Sequence, residues 1–404
     1  MAKAPSGSGD IDEMSSTVME IRWLSICAAI ASISVVGVAI GLGVPLLSVI
    51  LETRGYSATA IGANTAVAGI ASIAAAPFAT PLAARFGVVP LMLAMIVIGG
   101  LAFIGFYFAP HFWMWFPLRA VLHFALTMLF ILSEFWISTS APPHRRGLVL
   151  GIYATVLSLG FAFGPWLFAQ VGSAGFAPFG IAFLLIILAI LPVSLAWRQS
   201  PDIAGSERSS SAGFIRYIWI APMATAAVFV FGAVETGGFA LFPVYGARIG
   251  YTEADAAMLL TAVGLGNVLL QIPLGLVSDR MQDRRPLLAL CALVGLAGVL
   301  ALPFVAGNWN MSAAILFLWG GVVAGLYTIG LAHLGSRLSG RDLASANAAF
   351  VLCYGVGMLV GPQAIGIGMD IAGPDGFALT LALFFGLYLL LALARLGAGR
   401  VWRS

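Results

Sequence analysis

The chain has 404 residues, of which 61% are hydrophobic and 9% are charged. Soluble globular proteins carry about 25% charged and about 45–50% apolar residues, so this composition excludes a water-soluble protein, a nucleic-acid-binding protein and a disordered chain. The formal net charge is only +3, and Lys3 is the single lysine. A phosphate-binding loop of the G-x-x-x-x-G-K-[ST] type needs a lysine directly after its glycines, which excludes an ATP-driven pump of that kind.

Apolar runs long enough to cross a membrane follow one another along nearly the whole chain. A membrane-spanning helix needs about 20 predominantly apolar residues, and twelve runs meet this requirement. Most connections between them are short. The predicted helices, numbered in chain order, cover 22–50, 57–81, 88–109, 112–140, 147–171, 176–198, 214–246, 254–277, 287–306, 311–338, 342–365 and 376–396.

Polar segments divide the apolar runs into two sets. Residues 1–21 lack the basic stretch and short apolar core of a signal peptide, which predicts a disordered cytoplasmic tail. Residues 199–213 are rich in serine, glycine and charge, which is typical of a flexible linker. The predicted organisation is therefore an N-terminal bundle of six helices (22–198), this linker, a C-terminal bundle of six helices (214–398) and a short cytoplasmic tail (399–404).

The basic residues lie almost entirely on one side of the predicted bundle. With the N-terminus inside, only Arg54 and Arg248 fall in outer segments, and Arg119 falls within helix 4. Basic residues are enriched in the cytoplasmic loops of membrane proteins. The asymmetry predicts a multi-pass protein of the inner (plasma) membrane with both termini and the linker in the cytoplasm.

The three cysteines, Cys27, Cys291 and Cys353, lie inside apolar runs and lack the spacing of metal ligands. We expect all three to be small buried hydrophobic residues. Their placement implies neither a disulfide framework nor a metal site.

Two patterns recur in both halves of the chain. Thr261 and Pro273 repeat Thr65 and Pro77 at an offset of 196 residues (65 to 261, 77 to 273). Parallel repeats of this kind occur in transporters, where the solute site lies between the halves at mid-depth. The second pattern, G-x-x-x-G-P, combines small residues that allow close helix packing with a proline that bends the backbone. It occurs in predicted helices 5 and 11, as Gly160, Gly164 and Pro165 and as Gly357, Gly361 and Pro362.

The connection after predicted helix 8 carries the most specific local motif. It combines a glycine, an Asp-Arg pair and a final basic pair, formed by Gly275, Asp279, Arg280, Arg284 and Arg285. This motif resembles the loop signature of the major facilitator superfamily. The equivalent connection after helix 2 keeps Arg85 but departs from the family pattern, with Ala84 in place of the aspartate and no basic pair.

Further segments resemble the YcaD-like branch of that superfamily. They are Arg119 and Glu134 of helix 4, Arg146-Gly147, Leu241-Phe242-Pro243-Val244-Tyr245 and Ser345-Ala346-Asn347-Ala348. The resemblance covers about residues 20–396. It implies an all-α integral membrane fold of twelve transmembrane helices in two pseudo-symmetric halves, transport of a solute by alternating access, and a functional monomer.

The resemblance also implies roles for individual residues. The two motif-bearing loops, including Arg85, would form an inner gate, and Arg119 matches the helix-4 arginine that is tied to proton coupling in related exporters. The helix-5 motif partly matches a signature of proton-driven exporters. Because the same pattern also appears in helix 11, close helix packing is an equally good interpretation.

Ionisable residues inside apolar runs are the best candidates for a functional site, because they are costly in hydrocarbon and usually face a cavity or a partner. Arg119, His123 and Glu134 lie on one stripe of helix 4, with Arg119 and Glu134 about 22 Å apart along the axis. Glu235 lies near the middle of helix 7, with no cation one turn away. A desolvated carboxylate can pick up a proton near neutral pH, as a proton-coupling site requires, whereas a fixed ion pair, for example with Arg119, is the structural alternative.

Uncharged polar side chains give weaker signals. Asn267 and Gln271 are four residues apart on helix 8, and Tyr327 is on helix 10; they are candidates to line a solute site, although such side chains often bond across helices for packing alone. His333, near the inner end of helix 10, could contact the other half at a gate, but a histidine at the membrane surface without a role is the favoured interpretation.

These residues support a secondary active transporter of a small organic solute, with proton-coupled export favoured and Glu235, Glu134 and Arg119 as candidate proton-coupling residues. The alternative is proton-coupled or facilitated uptake of an organic anion, for which Arg119 and His123 offer positive charge. A membrane enzyme or sensor is disfavoured, since the sequence shows no catalytic constellation and no room for a soluble domain. The expected partners are the solute, protons and the lipid bilayer, with no cofactor, metal or nucleic acid.

Overall fold

A computed structural model describes residues 23–142, 145–201, 215–338 and 340–401. Within these residues, twelve helices are long and apolar enough to cross a membrane. We number them α1 to α12: Trp23–Thr53, Ala58–Phe86, Val88–Phe108, Trp115–Ser140, Arg146–Val171, Ala177–Leu195, Pro222–Arg248, Glu253–Arg280, Arg285–Val305, Trp309–Gly335, Gly340–Ala372 and Asp375–Val401. The predicted all-α membrane fold of twelve helices is thereby confirmed.

The helices differ from the predicted runs where polar residues or prolines lie near an end. The predicted helix 7 began at residue 214, whereas a short helix, Arg216–Ile220, precedes α7, which begins at Pro222. Proline fits the first turn of a helix because it has no N–H to leave unpaired. Helix α11 continues past the predicted end at residue 365 to Ala372. The prediction stopped early because the last turn carries the charged residue Asp370 and therefore falls outside the apolar run.

The helices that carry the Thr65 and Thr261 repeat, α2 and α8, begin with matching caps. Ser57 accepts a hydrogen bond from the Ala60 amide at the start of α2, 3.2 Å away. Thr252 accepts one from the Asp255 amide at the start of α8, 3.1 Å away. A hydroxyl at this position satisfies an amide that has no partner within the helix. The repeat seen in the sequence is therefore also a repeat of local structure.

Close backbone contacts hold each half together, and they involve the repeated G-x-x-x-G-P motif. In the N-terminal half, a Cβ added at Gly160 or Gly164 of α5 would overlap with the backbone of Gly37 or Gly41 of α1. In the C-terminal half, a Cβ at Gly361 of α11 would overlap with Ala233 of α7. Both copies of the motif are thus packing contacts between equivalent helix pairs.

The two halves meet through α1 with α7, α2 with α7 and α11, and α5 with α8. The approach is close between α2 and α11, where a Cβ added at Gly62 would overlap with the Pro362 carbonyl, and one at Gly366 with the Ala58 carbonyl. Between α5 and α8, a Cβ at Gly264 would lie 2.7 Å from the Ala162 Cα. The interface between the halves therefore depends on small residues, as expected for helices packing in lipid.

The expectation that all cysteines are buried is wrong for Cys27. Cys291 and Cys353 are buried, but Cys27 is exposed. It lies in the first turns of α1, beside exposed Trp23 and Leu24, where this helix faces outward from the bundle. An apolar run does not show which residues of a membrane helix face lipid, because both faces are apolar.

Two glycines of α5 provide a matched test of the packing contact. Gly164→Ala inserts a methyl group against Gly41, whereas Gly151→Ala adds one where no atom lies within 4 Å. Overpacking costs about 1–3 kcal/mol, so Gly164→Ala should lower the midpoint of thermal unfolding in detergent. Gly151→Ala should leave it unchanged or raise it slightly, because alanine has the higher helix propensity. Equal midpoints for the two variants would contradict a packing role for the motif.

Candidate functional site

Glu235 lies at the centre of α7, thirteen residues from Pro222 and thirteen from Arg248 (235 − 222 and 248 − 235), or about 20 Å from either end at 1.5 Å per residue. Its carboxylate is half-buried and accepts a hydrogen bond of 2.6 Å from the Tyr354 hydroxyl of α11. Among the described residues no cation pairs with it, so the alternative of a fixed ion pair with Arg119 is not formed. A carboxyl in this setting is most stable when neutral or bound to a cation.

An apolar cavity of about 50 Å³ adjoins Glu235. Its wall includes Asn267 of α8, Trp319 of α10 and Phe161, which α5 contributes from the other half. Phe161 packs edge-on against Phe239, with ring centroids 5.7 Å apart. One water molecule needs about 10–15 Å³ of such space. The cavity therefore admits a substituent of an organic molecule but not the whole molecule. A larger solute therefore needs the halves to move.

Aromatic side chains also pack around Tyr354, the partner of Glu235. Phe231 stacks on Tyr354 with ring centroids 6.2 Å apart, and Tyr327 packs 5.7 Å from Phe231 and 6.0 Å from Tyr354. Tyr327, predicted to line a solute site, therefore belongs to the aromatic group beside Glu235.

The two polar residues of α8 that were predicted to line a solute site, Asn267 and Gln271, have different surroundings. Asn267 lines the cavity next to Glu235. Gln271 instead bonds within its own half, donating to the Gly321 carbonyl at 3.3 Å and accepting from the Thr328 hydroxyl at 3.0 Å. Gln271 therefore joins α8 to α10 in this arrangement, which is the packing alternative recognised from the sequence.

Arg119 and His123 lie deep inside the N-terminal half, with 0% and 4% of their surfaces exposed. The Arg119 Nε donates to Asn64 Oδ1 of α2 at 3.0 Å, and its guanidinium carbon lies 5.9 Å from the Phe106 ring centroid. Glu134, on the same helix, is exposed. Arg119 and Glu134 are thus in different environments, consistent with their predicted separation along the helix.

The motif after α8 is held together by contacts within the C-terminal half. Arg284 bonds to Ser278 at 3.1 Å and lies 3.7 Å from Asp279, and Arg285 pairs with Asp283 at 2.7 Å. The side-chain hydrogen bond from Arg285 lowers the pKa of the Asp283 carboxyl below its usual value. This loop is therefore a preorganised basic surface, with Arg280 exposed at its edge.

The pseudo-equivalent loop after α2 has no comparable network. Arg85 is exposed, and its guanidinium lies over the ring of the neighbouring Phe86 at 5.2 Å. His333, considered from the sequence as a contact to the other half, instead lies buried near the charges of Arg284, Arg285 and Arg337. It belongs to the surroundings of the motif loop in its own half.

A polar network at one end of the bundle was not anticipated from the sequence. The network lies where α1, α2, α7 and α11 meet, at the end opposite the chain termini, which we call the closed end. Arg248 donates to Glu52 at 3.1 Å and lies 3.7 Å from Asp370. Asp370 in turn accepts bonds from the Ala58 and Thr59 amides at the start of α2, at 3.1 and 2.8 Å.

A second cross-half contact lies at the same end. Ser173, after α5, donates from its hydroxyl and its amide to Glu253 at the start of α8, at 2.8 and 3.2 Å. Within the described ranges, all hydrogen bonds and ion pairs between the halves are at the closed end. The only hint in the sequence was that Arg248 is one of two basic residues on that side.

Arg248→Ala provides a test of the closed-end network. The change removes the ion pair of Arg248 that crosses between the halves, with Glu52, which contributes roughly 0.2–1 kcal/mol for partly exposed groups. A loss of this size corresponds to a factor of about 1.4–5 in a two-state population. Spin labels at the exposed positions Ala174 and Ala254 should report a larger population of long distances across the closed end. Arg54→Ala, which removes a cation from the same end of one half only, should leave the distribution unchanged; if Arg248→Ala also does, the network does not hold the end closed.

Comparisons with known proteins agree with this architecture. The family model described as "Major Facilitator Superfamily" matches residues 24–260 and 247–403. The MFS-type transporter YfkF of Bacillus subtilis (strain 168) is 30% identical over 350 residues, which is 83% of this chain and 86% of that protein. YcaD of Salmonella typhi is 24% identical over 286 residues, covering 71% of this chain and 73% of its own length.

Solved structures share the fold at low sequence identity. The nucleoside transporter NupG superposes with a TM-score of 0.74 at 14% identity, covering 94% of this chain and 99% of that chain. A bacterial homologue of the human lysosomal transporter Spinster, in an inward-facing and unoccupied conformation, gives 0.72 at 13% identity, over 93% and 96% of the two chains. The family match, the relatives and the fold together show that the chain belongs to the major facilitator superfamily and is a membrane transporter rather than an enzyme.

Proposed function

We propose that this transporter exports an amphipathic organic solute in exchange for protons. The observation that carries the proposal is the placement of Glu235: a carboxyl at mid-depth, beside an apolar cavity, with a tyrosine hydroxyl as its described partner. Such a group can exchange a proton for a solute that offers a positive charge or a hydrogen-bond donor. The apolar wall then accommodates the rest of the solute.

The proton and the solute would compete for the same carboxylate. When Glu235 is protonated, the site is neutral and its desolvation costs little, which favours an arrangement closed around it. When a solute replaces the proton, the apolar part of the solute must be accommodated between the halves, so the cavity has to widen. Glu134, exposed on α4, would act as a second proton-coupling residue.

The closed-end network supports alternating access as the mechanism. The predicted topology places the chain termini, and therefore the opposite end from this network, in the cytoplasm. The present arrangement would then be sealed on the outer side. Export would require the Arg248–Glu52 contact and the bonds from the α2 amides to Asp370 to break, while the motif loops close the terminal end.

The proposal is tested in everted membrane vesicles in which respiration acidifies the interior and a fluorescent dye reports the pH. Addition of a transported solute to wild-type vesicles should restore fluorescence, because the exchanged protons leave. Glu235→Gln keeps the size and polarity of the side chain but cannot release a proton, so the response should be abolished while the protein stays in the membrane.

The control variant is Asp375→Asn, which removes an exposed carboxylate at the start of α12 that does not line the cavity. It should respond as the wild type does. A full proton response from Glu235→Gln would remove this residue from the coupling mechanism.

Uptake of an organic anion is the second candidate, because Arg119 is a buried cation with guanidinium nitrogens that lack a described partner. In that case Arg119→Ala should reduce transport of anionic solutes far more than that of neutral or cationic ones in right-side-out vesicles. Equal losses for all three classes would contradict anion recognition by Arg119.

A further inference from the structure

The interior of the N-terminal half contains a cluster of polar atoms without partners. Arg119 uses its Nε to bond Asn64 Oδ1, but its Nη1 and Nη2 atoms are buried and have no hydrogen-bond partner among the described residues. Asn64 Nδ2, on the side chain that Arg119 contacts, is also buried without a hydrogen-bond partner among the described residues. Both residues have 0% of their surface exposed.

The chemistry of these atoms selects the kind of group that would satisfy them. The guanidinium and amide nitrogens without partners can only donate hydrogen bonds. A water molecule that accepts from two of them brings two hydrogens of its own, which need further acceptors. An anion accepts from every side, so it matches a cluster of donors.

The charge of the cluster leads to the same conclusion. Arg119 carries a positive charge in a fully buried position, and no described carboxylate forms an ion pair with it. His123, one turn away and also buried, can only be neutral or positive. An uncompensated buried charge is strongly unfavourable, and a bound monovalent anion would neutralise it.

We propose that Arg119 and Asn64 form a binding site for a small inorganic anion such as chloride, enclosed between α2 and α4. Complete burial of the two side chains in this arrangement favours a compact ion over an organic carboxylate of solute size. The site neutralises the guanidinium and joins the two helices, which Ser72 and Thr127 also connect by a 2.9 Å hydrogen bond. This inference does not depend on the direction of transport or on proton coupling.

The test uses the purified full-length protein in detergent at fixed pH and ionic strength, with sodium gluconate replaced stepwise by sodium chloride or sodium bromide. A ligand that binds only the folded state raises the unfolding midpoint in a saturable way. We expect chloride and bromide to do so. Sodium benzoate, a carboxylate too large for an enclosed site, should have no effect.

Two variants remove the site in different ways. Arg119→Gln removes the charge, and its midpoint should not respond to chloride. Asn64→Asp introduces a carboxylate beside Arg119 with little change in shape, so it should be more stable than the wild type in gluconate and insensitive to chloride. The second variant decides the question if the first does not fold.

The matched control is Arg54→Gln, which removes an arginine that stacks 5.0 Å over Trp115 in the same half. It should keep the full chloride response. A wild-type midpoint that does not respond to chloride, or a normal response in Arg119→Gln or Asn64→Asp, would overturn the proposal. Stabilisation by benzoate but not chloride would also overturn it and would favour an organic anion at Arg119.

Discussion

Close contact between helix backbones is the constraint on which this structure depends. In a bilayer, apolar side chains gain little by leaving lipid for protein, so helices associate through close packing of small residues. Here α5 packs on α1, α11 on α7, and α2 on α11 with glycines at each contact. The first two contacts build the halves, and the third joins them. The same kind of contact therefore supports both the rigid units and the interface that has to change during transport.

The duplicated scaffold carries an unequal distribution of charge. The N-terminal half encloses Arg119 and His123, and the C-terminal half presents Glu235 to its cavity and to Tyr354. Position 39, which corresponds to Glu235 at the offset of 196 residues (235 − 196), is occupied by Ala39. The buried ionisable residues therefore differ between the two copies: the N-terminal half encloses a cation, and the C-terminal half places a carboxyl beside a cavity that Phe161 of the other half also lines.

The fold could be predicted from the sequence because each membrane helix corresponds to a long apolar run. The number and order of the predicted runs agree with the helices of the structure. The predicted helix ends were less accurate. Helix α11 continues past the polar residue Asp370, and a short helix ends before Pro222 although hydropathy does not change there.

Glu235 was recognisable as a charge within an apolar run. Its partner Tyr354 was not, because the contact joins α7 to α11, and one sequence does not show which helices are neighbours. The network of Glu52, Arg248 and Asp370 was missed for the same reason: it assembles from three helix ends that are far apart along the chain.

The contacts of Asp370 link the opening of the closed end to hydration. This one carboxylate accepts bonds from two α2 amides and lies beside Arg248, so separation of the halves at this end uncovers the carboxylate, the guanidinium and the first turn of α2 together. Each of these groups must then be hydrated. Opening the closed end is thus an uptake of water as well as a movement of helices, and its equilibrium is linked to water activity. Solutes excluded from protein surfaces, which favour the more buried of two states, would hold the transporter in the arrangement described.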